Sequence, residues 1–441
     1  MTHRTTRRLI TASAITAVGV LALAGCSAGS DGDGGGDDGP VELTWYMGAG
    51  VPDDIETAEQ LAADFTAKNP DIKVVVDASG PQGVELDAQM RTKLATGDMA
   101  DLFWYNSGAL MQQLNPDQQL LNVADEPWVE DLSEAYRGTV STDNGTYGAP
   151  VGSGMGGGFF YNVDVYEELG LEVPLTWDDF MANGEAIRDA GIDPVIQSFG
   201  DTWTAQMILL ADYYNVSVEE PDFADDLTAN ETTFAGTPSA VASFQKLQDL
   251  TEAGFFNEDY QNTLLDQALA KLVNGEGAHY PMLTFAQATI EQNFPDQADS
   301  IGFFPVPGDS AEKHGLTSWM PSSVYAPATT EHPEEVKKFM AFVASAEGCD
   351  SITAARGITG PYVVDGCEIE GDVSRIVSDM LPYFEENRTI PALEFLSSVK
   401  GPNLQTIAVE LGTGTATAEQ AAKAYDEDNR IQAQQLGLEG W

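Results

Sequence analysis

Four of the seven tryptophans fall at the ends of predicted strands or in turns rich in glycine and serine: Trp45, Trp104, Trp203 and Trp319. An indole in such surroundings can stack on a solute as well as pack in a core. A pyranose ring presents an apolar face of C–H groups and a girdle of hydroxyls, so it suits an aromatic side chain flanked by Asn, Asp, Ser and Thr. Trp203 and Trp319, whose neighbours are small and polar, are therefore the first candidates for contact with such a solute.

The other candidates lie just after predicted strands, because open α/β sheets bind ligands beyond the carboxyl ends of their strands. The full set of candidate ligand contacts is Tyr46, Asp77, Trp104, Tyr105, Asn106, Asp201, Trp203, Tyr280, Phe285, Trp319 and Met320. Each aromatic has an alternative place in a core, and one of Trp104 and Tyr105 must face inward because side chains alternate along a strand. Asp77 and Asp201 are equally explained as solvated carboxylates.

The motifs of common enzymes give no support to catalysis. Gly152-x-Gly154-x-x-Gly157 matches a dinucleotide pattern, but it leads into Phe159-Phe160-Tyr161 instead of opening a helix. The sequence has no Gly-x-Ser-x-Gly, His-Glu-x-x-His or phosphate-loop motif. With 70 acidic residues, a carboxylate pair of the glycosidase type stays open. We predict a binding protein and not an enzyme. The alternatives are a secreted glycoside-acting enzyme, a binder of another small polar solute, and a module that presents a surface to other proteins.

The amino terminus is typical of an exported lipoprotein. Three arginines precede the apolar run Leu9–Ala24, as in an export signal, and the run is too short for a comfortable membrane span. It ends in Leu23-Ala24-Gly25-Cys26, which resembles a lipobox, where the signal is cut before the cysteine and the thiol carries diacylglycerol. We predict a signal peptide over 1–25, a lipid anchor at Cys26 and a flexible tether over 26–40. An ordinary signal peptide is the alternative.

Removal of the signal peptide takes away three arginines and no acid, which moves the formal net charge from −50 to −53. Nucleic acid and anionic membrane surfaces are poor partners for such a field. Arg356 and Arg388 are the only bases near predicted cleft segments, which disfavours a phosphorylated or strongly anionic solute. For both arginines we favour a surface ion pair with one of the many carboxylates.

Cysteine and histidine usage points to one disulfide and to no metal or cofactor. With Cys26 acylated, only Cys349 and Cys367 keep a thiol, and in an oxidising compartment they are expected to pair, with two buried free thiols as the alternative. The histidines left are His279, His314 and His332, none at a ligand spacing from a cysteine.

The mature chain opens with strands and helices in alternation. Predicted strands at 41–47, 72–77 and 101–105 flank two amphipathic helices, the first ending at Asn69-Pro70 and the second at Gly97. This order, with short connections, is typical of a doubly wound α/β sheet. The glycine-rich stretch 148–158 predicts a crossover that must bend close to a ligand.

A second α/β unit follows the crossover. Its predicted strands lie at 159–162, 194–199 and 301–304, with a further strand at 323–326. A helix opens at Trp177 with Thr176 as N-cap, and helical patterns recur at 205–214, 240–252, 264–274 and 333–346.

The order and spacing of these segments resemble the extracellular solute-binding proteins of bacterial carbohydrate ABC importers, family 1 of the maltose and sugar-binding type. The resemblance covers nearly the whole mature chain, and two departures fall near the expected ligand: His279 replaces a usual Met, and Thr284-Phe285 replaces a frequent Gly-Trp pair. The segments that carry it are Ala62-Ala63-Asp64-Phe65, Asn69-Pro70-Asp71-Ile72, Ala95-Thr96-Gly97-Asp98, Tyr147-Gly148-Ala149-Pro150, Leu175-Thr176-Trp177-Asp178-Asp179-Phe180, Asn274-Gly275-Glu276-Gly277-Ala278 and Phe304-Pro305-Val306-Pro307-Gly308.

The resemblance implies a two-lobed α/β fold of the periplasmic-binding-protein type, with each lobe a sheet covered by helices. It implies hinge crossings near Ala149–Gly152, Phe304–Pro307 and Pro327–Thr330, so the expected lobes are 41–149 with 308–328 and 150–307 with 329–441. It also implies a monomer that captures a mono- or oligosaccharide between the lobes. The sugar would pass to the transmembrane subunits of an ABC permease, with the protein lipid-anchored outside the cytoplasm.

Overall fold

The computed structural model of this chain describes residues 39–369, 371, 373–438 and 440–441. The predicted signal peptide and the predicted lipid anchor at Cys26 lie outside the described residues. Within the described ranges, every helix is too short or too polar to cross a bilayer.

The first lobe is built on a five-stranded sheet. Its strands, in the order β2-β1-β3-β12-β6, are β1 Val41–Gly48, β2 Ile72–Gly80, β3 Leu102–Tyr105, β6 Ala149–Val151 and β12 Ser322–Tyr325. The predicted parallel pairing holds, because β1 runs parallel to both β2 and β3. β12 is antiparallel to its neighbours β3 and β6, since it returns from the second lobe. A separate small antiparallel hairpin, formed by β4 Ser141–Thr142 and β5 Gly145–Thr146, precedes β6 in the sequence.

The helices of the first lobe follow from their apolar stripes. In the first helix, Ala58, Leu61, Ala62 and Phe65 are buried at helical spacing, as the sequence predicts. Proline at its first turn and Asn69 before Pro70 set its ends. The helices are α1 Pro52–Lys68, α2 Gly83–Thr96, α3 Ala109–Gln112, α4 Pro116–Gln119, α5 Glu134–Thr139, α14 Pro333–Val343 and α15 Ala346–Arg356.

The second lobe is built around one long, glycine-rich strand. Its strands are β7 Met155–Asn162, β8 Asp193–Val195, β9 Gly277–Leu283, β10 Ile301–Pro305, β11 Leu316–Trp319 and β13 Thr389–Pro391, in the order β13-β11-β7-β9-β8 with β10 also paired to β7. A Cβ at Gly157 would lie 2.3 Å from the Trp319 ring, and one at Gly158 would lie 2.3 Å from the Phe304 carbonyl oxygen. These two glycines therefore permit close packing inside the lobe, whereas the sequence predicted a crossover for this stretch. Gly152 and Gly154 lie in the crossing itself, and Gly152 has a positive φ of 128°.

Helices cover this second sheet. They are α6 Val163–Leu169, α7 Trp177–Asp189, α8 Met207–Ala211, α9 Tyr213–Glu219, α10 Phe223–Thr228, α11 Pro238–Ala253, α12 Leu265–Val273, α13 Gln287–Asn293, α16 Arg375–Glu385, α17 Leu393–Leu396, α18 Leu404–Gly412 and α19 Ala418–Leu436. The predicted start of α7 is confirmed, because the Thr176 hydroxyl accepts a hydrogen bond from the Asp179 amide.

Two main hydrophobic cores divide the chain differently from the predicted lobe ranges. α14 and α15 pack into the first core, where Phe339 lies 5.2 Å from Trp45 and 5.1 Å from Phe65, measured between ring centroids. β11 belongs to the second sheet, since it pairs with β7. The chain thus passes between the lobes after β6, between β11 and β12, and again after α15.

The predicted disulfide is confirmed, because Cys349 in α15 is bonded to Cys367. It holds the start of the third crossing against the first lobe, where Val363 and Val364 are buried. The same crossing touches the first one, since the Gly154 amide donates to the Pro361 carbonyl at 2.7 Å. Two of the three crossings are therefore adjacent segments, and the hinge is not a single strand.

Candidate ligand-binding cleft

A cleft between the lobes lies at the carboxyl ends of β1 and β3, where open α/β sheets place their ligands. Its volume is about 1620 Å³ measured out to its open mouth. The space within it that is open to water-sized molecules is about 330 Å³, at the lower end of the about 300–1,000 Å³ usual for small-molecule pockets.

The cleft brings together seven of the eleven predicted contact residues. They are Trp104, Tyr105 and Asn106 from the first lobe, Trp203, Phe285 and Trp319 from the second lobe, and Met320 from the crossing between β11 and β12. Their contact with a ligand stays a prediction.

Trp104 and Tyr105 are both buried, yet both contribute to the cleft wall at the end of β3. Trp104 stacks on Trp45, with ring centroids 5.8 Å apart. The Tyr105 hydroxyl donates to Asp87 Oδ1 at 2.7 Å. Burial and the neighbouring carboxylate raise the Tyr105 pKa, and burial raises that of Asp87. Tyr105 is thus held as a neutral phenol whose proton is already committed to a cleft acid.

Trp203 and Phe285 form the aromatic surface of the second lobe. They sit on two short 3₁₀ helices, Thr202–Gln206 and Thr284–Ala286, with ring centroids 6.2 Å apart and planes inclined by 31°. Both rings are only partly buried. Together they offer the cleft an exposed apolar face of a size that suits a sugar ring.

Trp319, at the end of β11, is only 5% exposed. Its indole N–H donates to Glu394 Oε1 at 2.7 Å, and Glu394 forms an ion pair with Lys400. All three residues line the cleft. Burial lowers the pKa of Lys400 to about 8, while the Asp87 carboxylate across the cleft opposes that shift.

The family follows from the sequence match. Residues 49–348 match the family model described as bacterial extracellular solute-binding protein. The chain belongs to this family. Its members are binding proteins and not enzymes, and they act outside the cytoplasm, as the sequence predicts.

Known proteins resemble this solute-binding protein along most of its length. The multiple sugar-binding protein of Streptococcus mutans is 23% identical over 322 residues, which cover 71% of each chain. The structure of a chitin oligosaccharide binding protein aligns with a TM-score of 0.75 and 20% identity, covering 90% of this chain and 99% of the other. The raffinose complex of the solute-binding protein RafE aligns at 0.72 and 19%, covering 90% and 99%. These structures confirm the two-lobed α/β fold.

Four predicted contact residues of the solute-binding protein are absent from the cleft lining, and each forms a hydrogen bond elsewhere in its own lobe. The Tyr46 hydroxyl donates to Gln89, and Tyr280 is fully buried with its hydroxyl 2.6 Å from that of Ser198. Asp77 accepts from the Ser79 amide at 3.1 Å. Asp201 accepts from the Leu265 amide at 2.7 Å, at the start of α12.

The sequence interpretation missed most of the charged groups in the cleft. Asp54, Asp87, Glu394 and Lys400 all line it, and three glutamines add amide groups: Gln82, Gln206 and Gln405. Arg356, expected at the surface, is buried and pairs with Asp54 at 2.6 Å. Arg388 is partly exposed and pairs with Glu386, as expected. The scarcity of bases drew attention to Arg356 and Arg388, but Lys400 lines the cleft and Arg388 is absent from its lining.

The lobes of the solute-binding protein also contact each other beside the cleft. On one side, Gln292 Nε2 in α13 donates to Glu56 Oε2 in α1 at 2.9 Å. On the other, Gln113 Nε2 of the first lobe donates to the Lys400 carbonyl at 3.3 Å. A solute in the cleft would therefore be enclosed by both lobes.

Proposed function

We propose that this solute-binding protein captures a neutral mono- or oligosaccharide and delivers it to the permease of an ABC importer. The single observation that carries the proposal is the cleft lined by aromatic and polar side chains from both lobes. An aromatic face with a few convergent polar groups is what carbohydrate recognition requires.

The aromatic and polar groups divide between the lobes in a way that favours a clamp. Trp203 and Phe285 supply an apolar face from the second lobe, while Asn106, Ser107 and Asp87 supply hydrogen-bonding groups from the first. A sugar gains both sets of contacts only when the lobes are together. Because a ligand shifts an equilibrium by its differential affinity for the two forms, sugar binding should favour closure.

The charges of the cleft favour a neutral solute. Each base among the residues that line it is paired with an acid: Arg356 with Asp54 and Lys400 with Glu394. Asp87 adds a further carboxylate, held by a neutral phenol. A phosphate or uronate would meet no uncommitted cation in this lining and would face an excess of acid.

The remaining parts of the proposal concern location and partners. A lipid at Cys26 would keep the protein at the outer face of the cell membrane, beside the transmembrane subunits that receive the sugar. The acidic surface supports a soluble monomer with no role in binding nucleic acid.

A thermal-shift and calorimetric screen tests the proposal with maltose, raffinose, stachyose, diacetylchitobiose, galactose and galacturonate. We expect at least one neutral sugar to raise the melting temperature and to bind without release of product, and galacturonate to do neither. Release of reducing ends would indicate a hydrolase. No response to any neutral sugar, or a stronger response to galacturonate, would contradict the proposal.

A further inference from the structure

Trp319 has one described polar anchor, and that anchor fixes the direction of its ring. The six-membered ring lies over Gly157 of β7, where a Cβ would come within 2.3 Å of it. The indole N–H points to Glu394 Oε1 at 2.7 Å. Because Gly157 has no side chain, the Trp319 ring can pack directly on the β7 backbone. The hydrogen bond to the Glu394 carboxylate then favours one orientation of the ring.

Glu394 is itself held by Lys400. The exposed fractions of the two side chains are 12% and 14%, so the pair is largely withdrawn from water. A buried carboxylate is costly without a partner, and removal of one member of such a pair leaves the other charge unpaired. The position of the Glu394 carboxylate therefore depends on Lys400.

The backbone brings these groups together at one edge of the second sheet. β13 runs parallel to β11, with Ser318 opposite Pro391, and the Ala392 amide donates to the Ser318 carbonyl at 2.8 Å. Trp319 is the last residue of β11, and Glu394 lies three residues beyond the end of β13. The anchor also reaches the first lobe, since the Lys400 carbonyl accepts from Gln113.

We propose that Glu394 is a positioning residue, held by Lys400, which fixes the Trp319 indole in the orientation that sugar binding uses. The proposal rests on the proposed function and extends it, because Glu394 acts through Trp319 and need not touch the sugar. Without the anchor the indole samples other rotamers, and binding must then select the productive one.

The orientation is tested first without sugar, from the indole N–H resonances of ¹⁵N-labelled protein. We expect Glu394→Ala to move the Trp319 resonance, Glu394→Gln to restore part of the shift by keeping an acceptor oxygen, and Lys400→Met to move it although Lys400 contacts Glu394 and not the indole nitrogen. Lys313→Met is the matched control, because Lys313 pairs with Glu219 at the exposed surface of the same lobe. The resonance of Trp177, in the core of the second lobe, reports whether a variant has kept the fold of that lobe.

The binding role is tested by titrating raffinose, stachyose and diacetylchitobiose in turn into the wild type, Glu394→Ala, Trp319→Phe and the double variant. We expect Glu394→Ala to weaken binding about tenfold, and to add little in the Trp319→Phe background, since the two act as one unit. An equal loss in both backgrounds would show that Glu394 acts independently of Trp319 and would overturn the proposal.

An unmoved Trp319 resonance in Glu394→Ala would also overturn it. A wild type that binds none of the neutral sugars would contradict the proposed function, and the resonance measurements would still decide whether Glu394 and Lys400 orient the indole.

Discussion

The hydroxyl of Thr289 in α13 donates to the carboxylate of Asp53 in α1, with Oγ1 and Oδ2 2.5 Å apart. The two residues belong to different lobes and are 7% and 5% exposed. Together with the bond from Gln292 to Glu56, this contact must break before the lobes can separate along this side of the cleft. The chain itself therefore supplies part of the free energy that holds the lobes together.

Substitution Thr289→Val should weaken the closed form and sugar affinity together. Valine keeps the shape of the side chain but removes the donor, which leaves the buried Asp53 carboxylate short of a partner. An unsatisfied buried group costs about 1–3 kcal/mol, so we expect affinity to fall by about 5- to 150-fold. Calorimetry measures the affinity, and X-ray scattering should show a larger radius of gyration for the unliganded variant. Thr289→Ser, which keeps the hydroxyl, is the control; equal losses in both variants would contradict the argument.

Truncation of Trp203 separates binding from stability. Trp203 is only partly buried and lines the cleft, so Trp203→Ala should weaken sugar binding by about 1–3 kcal/mol and change the melting temperature of the unliganded protein little. Trp177→Ala is the opposite case, because Trp177 stacks on Phe180 in the second core at 4.9 Å. It should lower the melting temperature strongly. If Trp203→Ala binds sugar with unchanged affinity, Trp203 is not a ligand contact.

Local pattern predicted the elements better than it predicted their partners. The elements from β1 to β3 were predicted correctly, because the apolar face of each helix and the residue pattern of each strand are contained in a single continuous segment. α14 has a clear apolar stripe, but that stripe fits either lobe, and only contacts with the distant Phe65 and Trp45 decide which one it covers. For the same reason, the predicted crossings near Phe304–Pro307 and Pro327–Thr330 differ from the observed ones after β11 and after α15.

The cleft shows the same limit. Trp203 and Trp319 were found because their small polar neighbours are adjacent in sequence. Tyr46 and Tyr280 were placed there by their positions in strands, which do not reveal that Gln89 and Ser198 already hold their hydroxyls. The pair of Asp54 and Arg356 spans 302 residues, so no local pattern could have joined them.

The lipid anchor is tested by substitution of the predicted acylation site. Cys26→Ala removes the thiol that would carry diacylglycerol, so the variant should move from the membrane fraction to the soluble fraction. Detergent partitioning and mass analysis of the mature amino terminus measure this directly. Cys367→Ser, which breaks the disulfide but leaves Cys26 in place, is the control and should leave the protein in the membrane fraction. Continued membrane association of Cys26→Ala would rule out anchoring through this residue.

His279 should make the protein less stable in acid. Its ring is fully buried, with Nδ1 donating to the Pro194 carbonyl at 2.6 Å and Nε2 2.6 Å from the Tyr166 hydroxyl, so a neutral tautomer satisfies both nitrogens. Burial lowers the pKa from 6.5 to about 4.

Between these two values the unfolded chain binds a proton that the folded chain does not. His279 therefore leaves the free energy of unfolding unchanged above pH 6.5. As the pH falls from 6.5 towards 4, it lowers the free energy of unfolding by up to about 3 kcal/mol. Chemical denaturation at a series of pH values measures how the free energy of unfolding depends on pH. We expect this dependence between pH 4 and 6.5 to be shallower for His279→Met, which restores the residue usual in the family, than for the wild type. The slope should not vanish, because burial also lowers the pKa of His314 to about 4. His332→Gln is the control, since His332 is partly exposed in the first lobe. Equal slopes for the wild type and His279→Met would show that His279 does not govern the loss of stability in acid.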